Sequence, residues 1–221
     1  MKRLIISLLC YAVFWLLFFF VARSYFLITH FREAAVTGLS AIAGTFTHGI
    51  KLDISATGYI MILPLLALLF FIWTGGKWYK VWLKWYTWII LLIASVIIVT
   101  DSVLYTYWGY RMDYTPFIYL RTPKEAAASV STISIILMAS GILLIAGISG
   151  LIFNRTFRPF FNHSVRQGLR IPATFLFMIM CGSLIIPIRG GLGVAPVYAG
   201  SVYFSDKMFA NHASVNVVWN V

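Results

Sequence analysis

The sequence predicts an all-α membrane protein with five transmembrane helices. Of its 221 residues, 61% are hydrophobic and 10% are charged, and the mean hydropathy is +0.91, which is far above what a soluble domain with a polar surface needs. The apolar core of a bilayer is about 30 Å thick and takes roughly 20 helical residues to cross. Five stretches of about this length carry at most one charge each. We therefore expect spans at about residues 4–21, 55–74, 85–104, 132–153 and 171–188.

The first span is expected to remain as an anchor. Its apolar run, "LIISLLCYAVFWLLFFFV", is longer than the hydrophobic part of a typical signal peptide, and "VARSYF" offers no small-residue cleavage site. Two prolines, Pro64 and Pro172, fall within or at the start of later spans. Neighbouring helices can satisfy the carbonyl groups that a proline leaves without a partner. The prolines are therefore compatible with helical spans.

The distribution of positive charge predicts the orientation. With a cytoplasmic N-terminus, nine of the 17 Lys and Arg residues lie inside and eight lie outside, so the totals barely discriminate. The density of positive charge does distinguish the two sides, because the inside loops "KWYKVWLK" and "RTFRPFFNHSVRQGLR" are short and rich in cations. The outside loops are longer and contain acidic residues. We expect the N-terminus inside, the C-terminus extracytoplasmic, and a multi-pass protein of the bacterial inner (cytoplasmic) membrane.

The net charge of +11 does not indicate nucleic-acid binding. The basic residues are spread between the apolar segments, where Lys and Arg fix topology and contact anionic lipid. We expect membrane lipids as partners, including anionic phospholipid headgroups, and no nucleic acid. The oligomeric state is left open.

Two extramembrane segments need a separate explanation. Residues 22–57 form the first outside loop, which is too polar to span and too apolar to lie in solvent, so an interfacial or re-entrant helix is expected there. The chain divides into a transmembrane domain at 1–188 and a C-terminal segment at 189–221. That segment has a basic, glycine-rich turn that begins at Arg189 and is expected to start an extracytoplasmic linker.

One acidic residue inside a span requires a partner. Asp101 lies near the outer end of the third span, where an unpaired carboxylate would cost about 2 kcal/mol or more at depth. Asp101, Tyr105 and Trp108 share one helical face, and Arg111 follows in the loop. Two interpretations remain open: a polar, aromatic-rimmed site for a lipid headgroup, or an ion pair between Asp101 and Arg111 that holds the helix end.

The other candidate residues are structural. Asp53, in "GIKLDIS", is expected to cap the first turn of the second span. The sequence contains no catalytic or metal-binding motif, and its four histidines lack ligand spacing. We therefore assign no catalytic residue and no metal ligand, and we expect no cofactor in this chain.

The C-terminal segment carries a family resemblance. "PIRGGLGVAPVYAGSVYFSDKMFANHASVNVVWN", directly after a fifth span, resembles the junction in lipoteichoic acid synthase-like proteins of the Bacteroidetes type, a branch of the sulfatase and alkaline phosphatase superfamily. "GIKLDISATGYI" and "TDSVLYTYWGYRMDYTPF" resemble the start of that family's second span and the end of its third. The resemblance extends over essentially all 221 residues.

The resemblance implies a membrane module of a larger enzyme. Members of this family are phosphoglycerol or phosphoethanolamine transferases, or phosphodiester or sulfate-ester hydrolases, with a Thr or Ser nucleophile and a divalent metal (Mn, Mg, Zn or Ca) in an extracytoplasmic domain. Those catalytic positions would lie beyond Val221. The resemblance therefore implies that this chain anchors its own missing domain, presents a lipid substrate, and is inactive alone, being a fragment or the product of a truncated gene.

A different class of function remains as the alternative. The chain could be a free-standing small membrane protein that binds or transports a lipid-linked or other small solute. Such a protein would require polar residues that face one another within the membrane, and the sequence offers little beyond Asp101.

Overall fold

The computed structural model describes residues 1–75, 78–116, 131–157 and 165–221. Within these ranges the chain is helical and has no β-strand. Short 3₁₀ turns lie at Gln167–Leu169 and Ala199–Val202. The α-helices are α1 (Lys2–Thr29), α2 (Phe31–Thr37), α3 (Leu39–Thr74), α4 (Trp78–Trp108), α5 (Thr132–Phe157), α6 (Arg170–Ser183), α7 (Ile185–Arg189), α8 (Met208–Ser214) and α9 (Val217–Asn220).

Five helical segments of the described chain are long and apolar enough to cross a membrane. They are α1, α3, α4, α5 and the segment Gln167–Arg189, which combines a 3₁₀ turn with α6 and α7. This confirms the prediction of an all-helical, multi-pass architecture with five spans. The direction of insertion and the interfacial or re-entrant helix stay predictions.

The helices are longer than the predicted spans. α3 begins at Leu39 rather than near residue 55, and its 36 residues correspond to about 54 Å. This length exceeds the roughly 30 Å apolar core of a bilayer. The predicted first outside loop is therefore mostly helical: α1 continues to Thr29, and only the seven-residue α2 separates it from α3. The predicted boundaries followed the apolar runs, whereas the helices continue through polar residues that find partners in the fold.

A side chain from α4 compensates for the proline inside α3. Pro64 has no N–H group, so the carbonyl of Ile60, four residues earlier, lacks its usual helical donor. The hydroxyl of Tyr86 donates to this carbonyl at 2.8 Å. The hydroxyl of Tyr79 donates to the carbonyl of Pro64 itself at 3.1 Å. This confirms the expectation that neighbouring helices accommodate the proline.

The core is aromatic near the N-terminal half of α1. Tyr11 and Trp15 are fully buried and pack edge-to-face with ring centroids 6.1 Å apart. Phe153 and Phe157 of α5 pack against Tyr11, which brings α5 to α1. By contrast, most of α5 and of the Gln167–Arg189 segment is exposed, with only 11% of each apolar window buried inside the protein. These two spans present an apolar surface that suits lipid.

The C-terminal segment packs onto one end of the helix bundle. α8 contacts α3, α2 and α1, and α9 contacts α4 and α3. Ala210, Ala213 and Val217 are buried at 4% exposure or less. In addition, the indole N–H of Trp219 donates to the hydroxyl of Ser55 on α3 at 2.9 Å. Residues 197–221 thus form part of the folded protein, and the prediction that they lead into a further domain stays a prediction.

Candidate functional site

A buried ion pair joins α1 to α3 beneath the C-terminal segment. The guanidinium of Arg23 donates to Asp53 through Nη1 to Oδ2 at 2.8 Å and through Nη2 to Oδ1 at 2.9 Å. Both side chains are 4% exposed. This two-bond geometry is the strong form of an Arg–carboxylate contact. Removing either partner would leave an uncompensated charge in the interior of the protein.

The same ion pair holds the C-terminal segment in place. The Nε atom of Arg23 donates to the carbonyl of Ala213 at 3.1 Å, and Nη2 donates to that of Ser214 at 3.3 Å. These two carbonyls lie near the end of α8, where helical carbonyls lack intrahelical partners. From the other side, the amide of Asn216 donates to Asp53 Oδ1 at 2.8 Å. The network therefore connects α1, α3 and the segment that follows the last span.

A glycine on α3 makes this close approach possible. A Cβ atom at Gly49 would collide with the guanidinium of Arg23 and with the carbonyl oxygen of Ser214. Gly44, one turn earlier on α3, is similarly covered by the ring of Phe204. Small residues at these positions let the C-terminal segment lie directly on the helix.

A second buried ion pair closes the end of α4. Arg111 Nη2 lies 3.1 Å from Asp101 Oδ2, and the backbone N–H of Met112 donates to Asp101 Oδ1 at 2.7 Å. The chain therefore folds back onto the last turns of α4 after Gly109. The Cζ atom of Arg111 lies 4.0 Å from the centre of the Phe26 ring, a cation–π contact with α1.

A small cavity separates the two ion pairs. Arg23, Asp53, Asp101, Arg111 and Asn216 all line it, together with apolar residues of α1, α4 and the C-terminal segment. The Nε and Nη1 atoms of Arg111 are buried and have no hydrogen-bond partner among the residues that the structure describes. Burial lowers the pKa of Arg111, and the Asp101 carboxylate opposes this shift. The site thus combines two cations, two anions and unused donors in a space enclosed by apolar side chains.

Two histidines adjoin this cluster. The Tyr105 hydroxyl lies 3.0 Å from His212 Nδ1. The ring of Tyr105 also packs edge-to-face on His30, with centroids 4.9 Å apart. Burial lowers the pKa of His212, and the positive charge of Arg111 lowers it further. The neutral imidazole is therefore favoured in the folded state.

The structure brings three of the four predicted site residues together and places the fourth, Trp108, apart from the ion pair. Asp101 and Arg111 form the ion pair that one of the two open interpretations required, and Tyr105 lies beside them, 8% exposed. Trp108 is half-buried and stacks on Tyr110, with centroids 5.5 Å apart. No contact of Trp108 with Asp101 or Arg111 is seen among the described residues. The binding of a lipid headgroup at this site stays a prediction.

Of the two residues predicted to have structural roles, Asp53 does not have the predicted role, whereas Arg189 lies where it was expected. The capping role expected for Asp53 is wrong, because α3 begins at Leu39 and Asp53 lies well inside the helix. The reason is that Arg23 and Asn216 supply the charge and the donors that a buried carboxylate needs. Arg189 ends α7, as expected for the start of the glycine-rich turn, and its Nη2 donates to the carbonyl of Val194 at 3.1 Å.

Sequence reasoning missed Arg23, Asn216 and the two histidines. Arg23 falls within residues 22–57, the predicted first outside loop. A signal was present, since "FFFVARSYFL" places one cation, Arg23, in an otherwise apolar helix, and "GIKLDISATGY" places an acid, Asp53, two residues after Lys51. Charges of that kind are usually paired. Asn216 offered no such signal, because an asparagine in a polar tail has no distinctive pattern.

No group of three or more His, Cys, Asp and Glu side chains that could hold a metal ion occurs in the part of the chain that the structure describes. Comparison of the chain with family models, with curated proteins and with solved structures finds no match. The resemblance to lipoteichoic acid synthase-like proteins therefore stays a prediction.

Proposed function

We propose that this chain is the membrane module of a lipoteichoic acid synthase-like enzyme, which anchors and orients an extracytoplasmic catalytic domain. The observation that supports this function best is the hydrogen bond from Asn216 to the buried Asp53. Together with the bonds from Arg23 to Ala213 and Ser214, it fixes the chain after the last span to α1 and α3. An anchor that orients a domain needs a rigid exit of this kind.

The proposal assigns no chemistry to the chain itself. Phosphoglycerol or phosphoethanolamine transfer, or ester hydrolysis, would be performed by the catalytic domain with its own nucleophile and divalent metal. The module would hold that domain at a fixed height and angle near lipid substrates, in the manner that positioning contributes to catalysis. The isolated chain is then expected to be inactive.

The coding DNA beyond Val221 tests this proposal most directly. An open frame of roughly 300 to 400 codons, the size of one to three ordinary domains, with a Thr or Ser nucleophile and Asp, Glu and His metal ligands, would support it. A stop codon directly after Val221 would refute it.

A biochemical test distinguishes a module that orients the catalytic domain from one that only attaches it to the membrane. In the full-length protein, Asn216→Ala is expected to lower turnover of a membrane-embedded lipid substrate several-fold, while hydrolysis of a small soluble ester stays unchanged. Met208→Ala, at an exposed position of α8, serves as the control. Equal activity of both variants on the lipid would show that the fixed exit has no role in orientation.

A second candidate is a free-standing protein that binds or transports a lipid-linked or other small solute. The Nε and Nη1 donors of Arg111, which lie beside Asp101 and have no acceptor in the described ranges, support it. Reconstituted into vesicles, the isolated chain would then accumulate or exchange the solute. Asp101→Ala should abolish this activity, whereas Asp206→Ala, at an exposed position, should not. Absence of activity in the wild-type chain would exclude this candidate.

A further inference from the structure

The unused donors of Arg111 indicate an occupant of the cavity between the ion pairs. Arg111 presents five N–H groups, and within the described part of the chain only its Nη2 atom has an acceptor, Asp101 Oδ2 at 3.1 Å. The Phe26 ring contacts the guanidinium but accepts none of the remaining hydrogens in a conventional hydrogen bond. A buried donor without an acceptor costs free energy, because it has lost its hydrogen bonds to water. An acceptor atom in the adjacent cavity would remove this cost.

The size and charge of the cavity determine what that occupant is. The cavity offers about 10 Å³ to the centre of a water-sized sphere, which is about the room for one water. Arg23 and Arg111 are balanced by Asp53 and Asp101, so the lining carries no net charge that would attract an ion. A water can accept from Arg111 and donate to a carboxylate, whereas a phosphate group would need more space.

We propose that one ordered water occupies this cavity, accepts a hydrogen bond from Nε or Nη1 of Arg111, and links the Arg111–Asp101 pair to the Arg23–Asp53 pair. The linkage makes a single network of the two pairs, so that the end of α4 and the C-terminal segment are held together. This inference does not depend on the proposed function.

A structure of the wild-type chain in lipid nanodiscs at about 2 Å resolution tests this proposal. The expected result is a compact, single-atom density 2.7–3.2 Å from Arg111 Nε or Nη1. Elongated density that continues to a lipid would overturn the proposal in favour of a bound headgroup. An empty cavity, with both donors moved onto protein acceptors, would overturn it as well.

A different observation concerns the glycine-rich turn after the last span. Leu192 is 88% exposed and Val194 is 99% exposed. Their loop leaves α7 directly at Arg189, and the chain reverses at Gly190, whose φ of +78° suits glycine. The loop therefore displays two apolar side chains next to the end of a membrane-spanning segment.

Hydrogen bonds hold the base of this loop in one conformation. Arg189 Nη2 donates to the carbonyl of Val194 at 3.1 Å, and the Val197 N–H donates to the carbonyl of Arg189 at 2.9 Å. The Gly191 N–H donates to the carbonyl of Ile186 at 2.9 Å. A loop held at its base in this way presents its apolar tip in one fixed position.

The positive charges next to this loop also favour a position at the lipid interface. Arg189 is exposed at the base of the loop, and the side chain of the exposed Lys51 lies close to Gly190. Cations near the end of a span are attracted to anionic headgroups. We propose that the Leu192–Val194 tip inserts into the lipid interface, with Arg189 and Lys51 at headgroup level, and thereby fixes the depth of the last span.

Spin labels test the insertion. The label is attached to Val194→Cys in a chain whose own cysteines are replaced by serine (Cys10→Ser, Cys181→Ser), in phosphatidylcholine and phosphatidylglycerol vesicles. Accessibility to oxygen and to a water-soluble nickel chelate is measured and compared with labels at Asp206→Cys and at Ile148→Cys on α5. The expected oxygen-to-nickel ratio at residue 194 lies between the two reference labels.

Two outcomes would contradict the insertion. A ratio at residue 194 equal to that at Asp206 would place the tip in water. Exclusion of both oxygen and nickel would mean that protein covers the tip, for example a second copy of the chain.

Discussion

Arg23 on α1 and Asp53 on α3 form a two-bond ion pair, with N to O distances of 2.8 and 2.9 Å, at a point where both are almost fully buried. The pair also bonds the carbonyls of Ala213 and Ser214 and the amide of Asn216. Stability of the C-terminal segment should therefore depend on two charges that lie more than 150 residues before the groups they bond.

Breaking one side of this pair is expected to be costly. Arg23→Met leaves Asp53 buried with Asn216 as its remaining donor and should cost about 3–5 kcal/mol. In a chain of this size that corresponds to a fall in the unfolding midpoint on the order of 10 °C. Asp53→Leu should cost a similar amount, whereas the double variant should lose less than the sum, because no charge is left unpaired.

Thermal unfolding in detergent measures all three variants, and Arg32→Met, at an exposed arginine, is the control. A loss for Arg23→Met no larger than for Arg32→Met would contradict the role of the pair.

The close contact over Gly49 predicts a large effect of a single methyl group. Gly49→Ala would place Cβ against the Arg23 guanidinium and the Ser214 carbonyl, so we expect a loss of about 1–3 kcal/mol from overpacking. Gly147→Ala on α5 meets no neighbouring atom and should be neutral or slightly stabilising, since alanine favours helix. Limited proteolysis of the C-terminal segment should show faster cleavage for Gly49→Ala alone. Equal cleavage of the two variants would refute the packing argument.

The link between Tyr86 and Pro64 can be tested by rescue. Tyr86→Phe removes the donor to the Ile60 carbonyl and should cost about 1–3 kcal/mol, because that buried acceptor is left unsatisfied. Pro64→Ala restores the missing helical N–H, so Tyr86→Phe should cost markedly less in that background. Thermal unfolding of the four proteins gives the comparison. If Tyr86→Phe costs the same with and without Pro64, the hydroxyl does not compensate for the proline.

Acid is expected to destabilise the segment around His212. The pKa of His212 is lowered in the folded state, first by burial and then by Arg111. The unfolded chain, with a histidine pKa near about 6.5, therefore binds a proton more readily than the folded chain. The stability contributed by neutral His212 is present above that pH and is lost as the pH falls below it. The unfolding midpoint measured from pH 8 to 5 should decline, and His212→Gln should reduce the decline. An unchanged pH profile in that variant would assign the effect to other groups.

The sequence located most of the fold but little of the site. The five apolar segments predicted five spans, and the structure has them. The pairing of Asp101 with Arg111 was also within reach, because ten residues and one helix end separate the two. The starts of α3 and α4 were misplaced, since helices extend past the apolar stretch when their polar residues are paired. Asp53 was consequently interpreted as a helix cap rather than as the partner of Arg23.

By itself the sequence determined the number and approximate positions of the spans, because the preference of a segment for lipid depends on its own composition and length. The tertiary structure alone decided that Arg23, Asp53 and Asn216 meet, because no local pattern connects an arginine on α1 to an asparagine 193 positions later. It also decided that residues 197–221 pack on the bundle. That packing depends on glycines of α3, which leave space for the segment, and on buried charges, which need hydrogen-bond partners. Both conditions arise only when the helices have packed against one another.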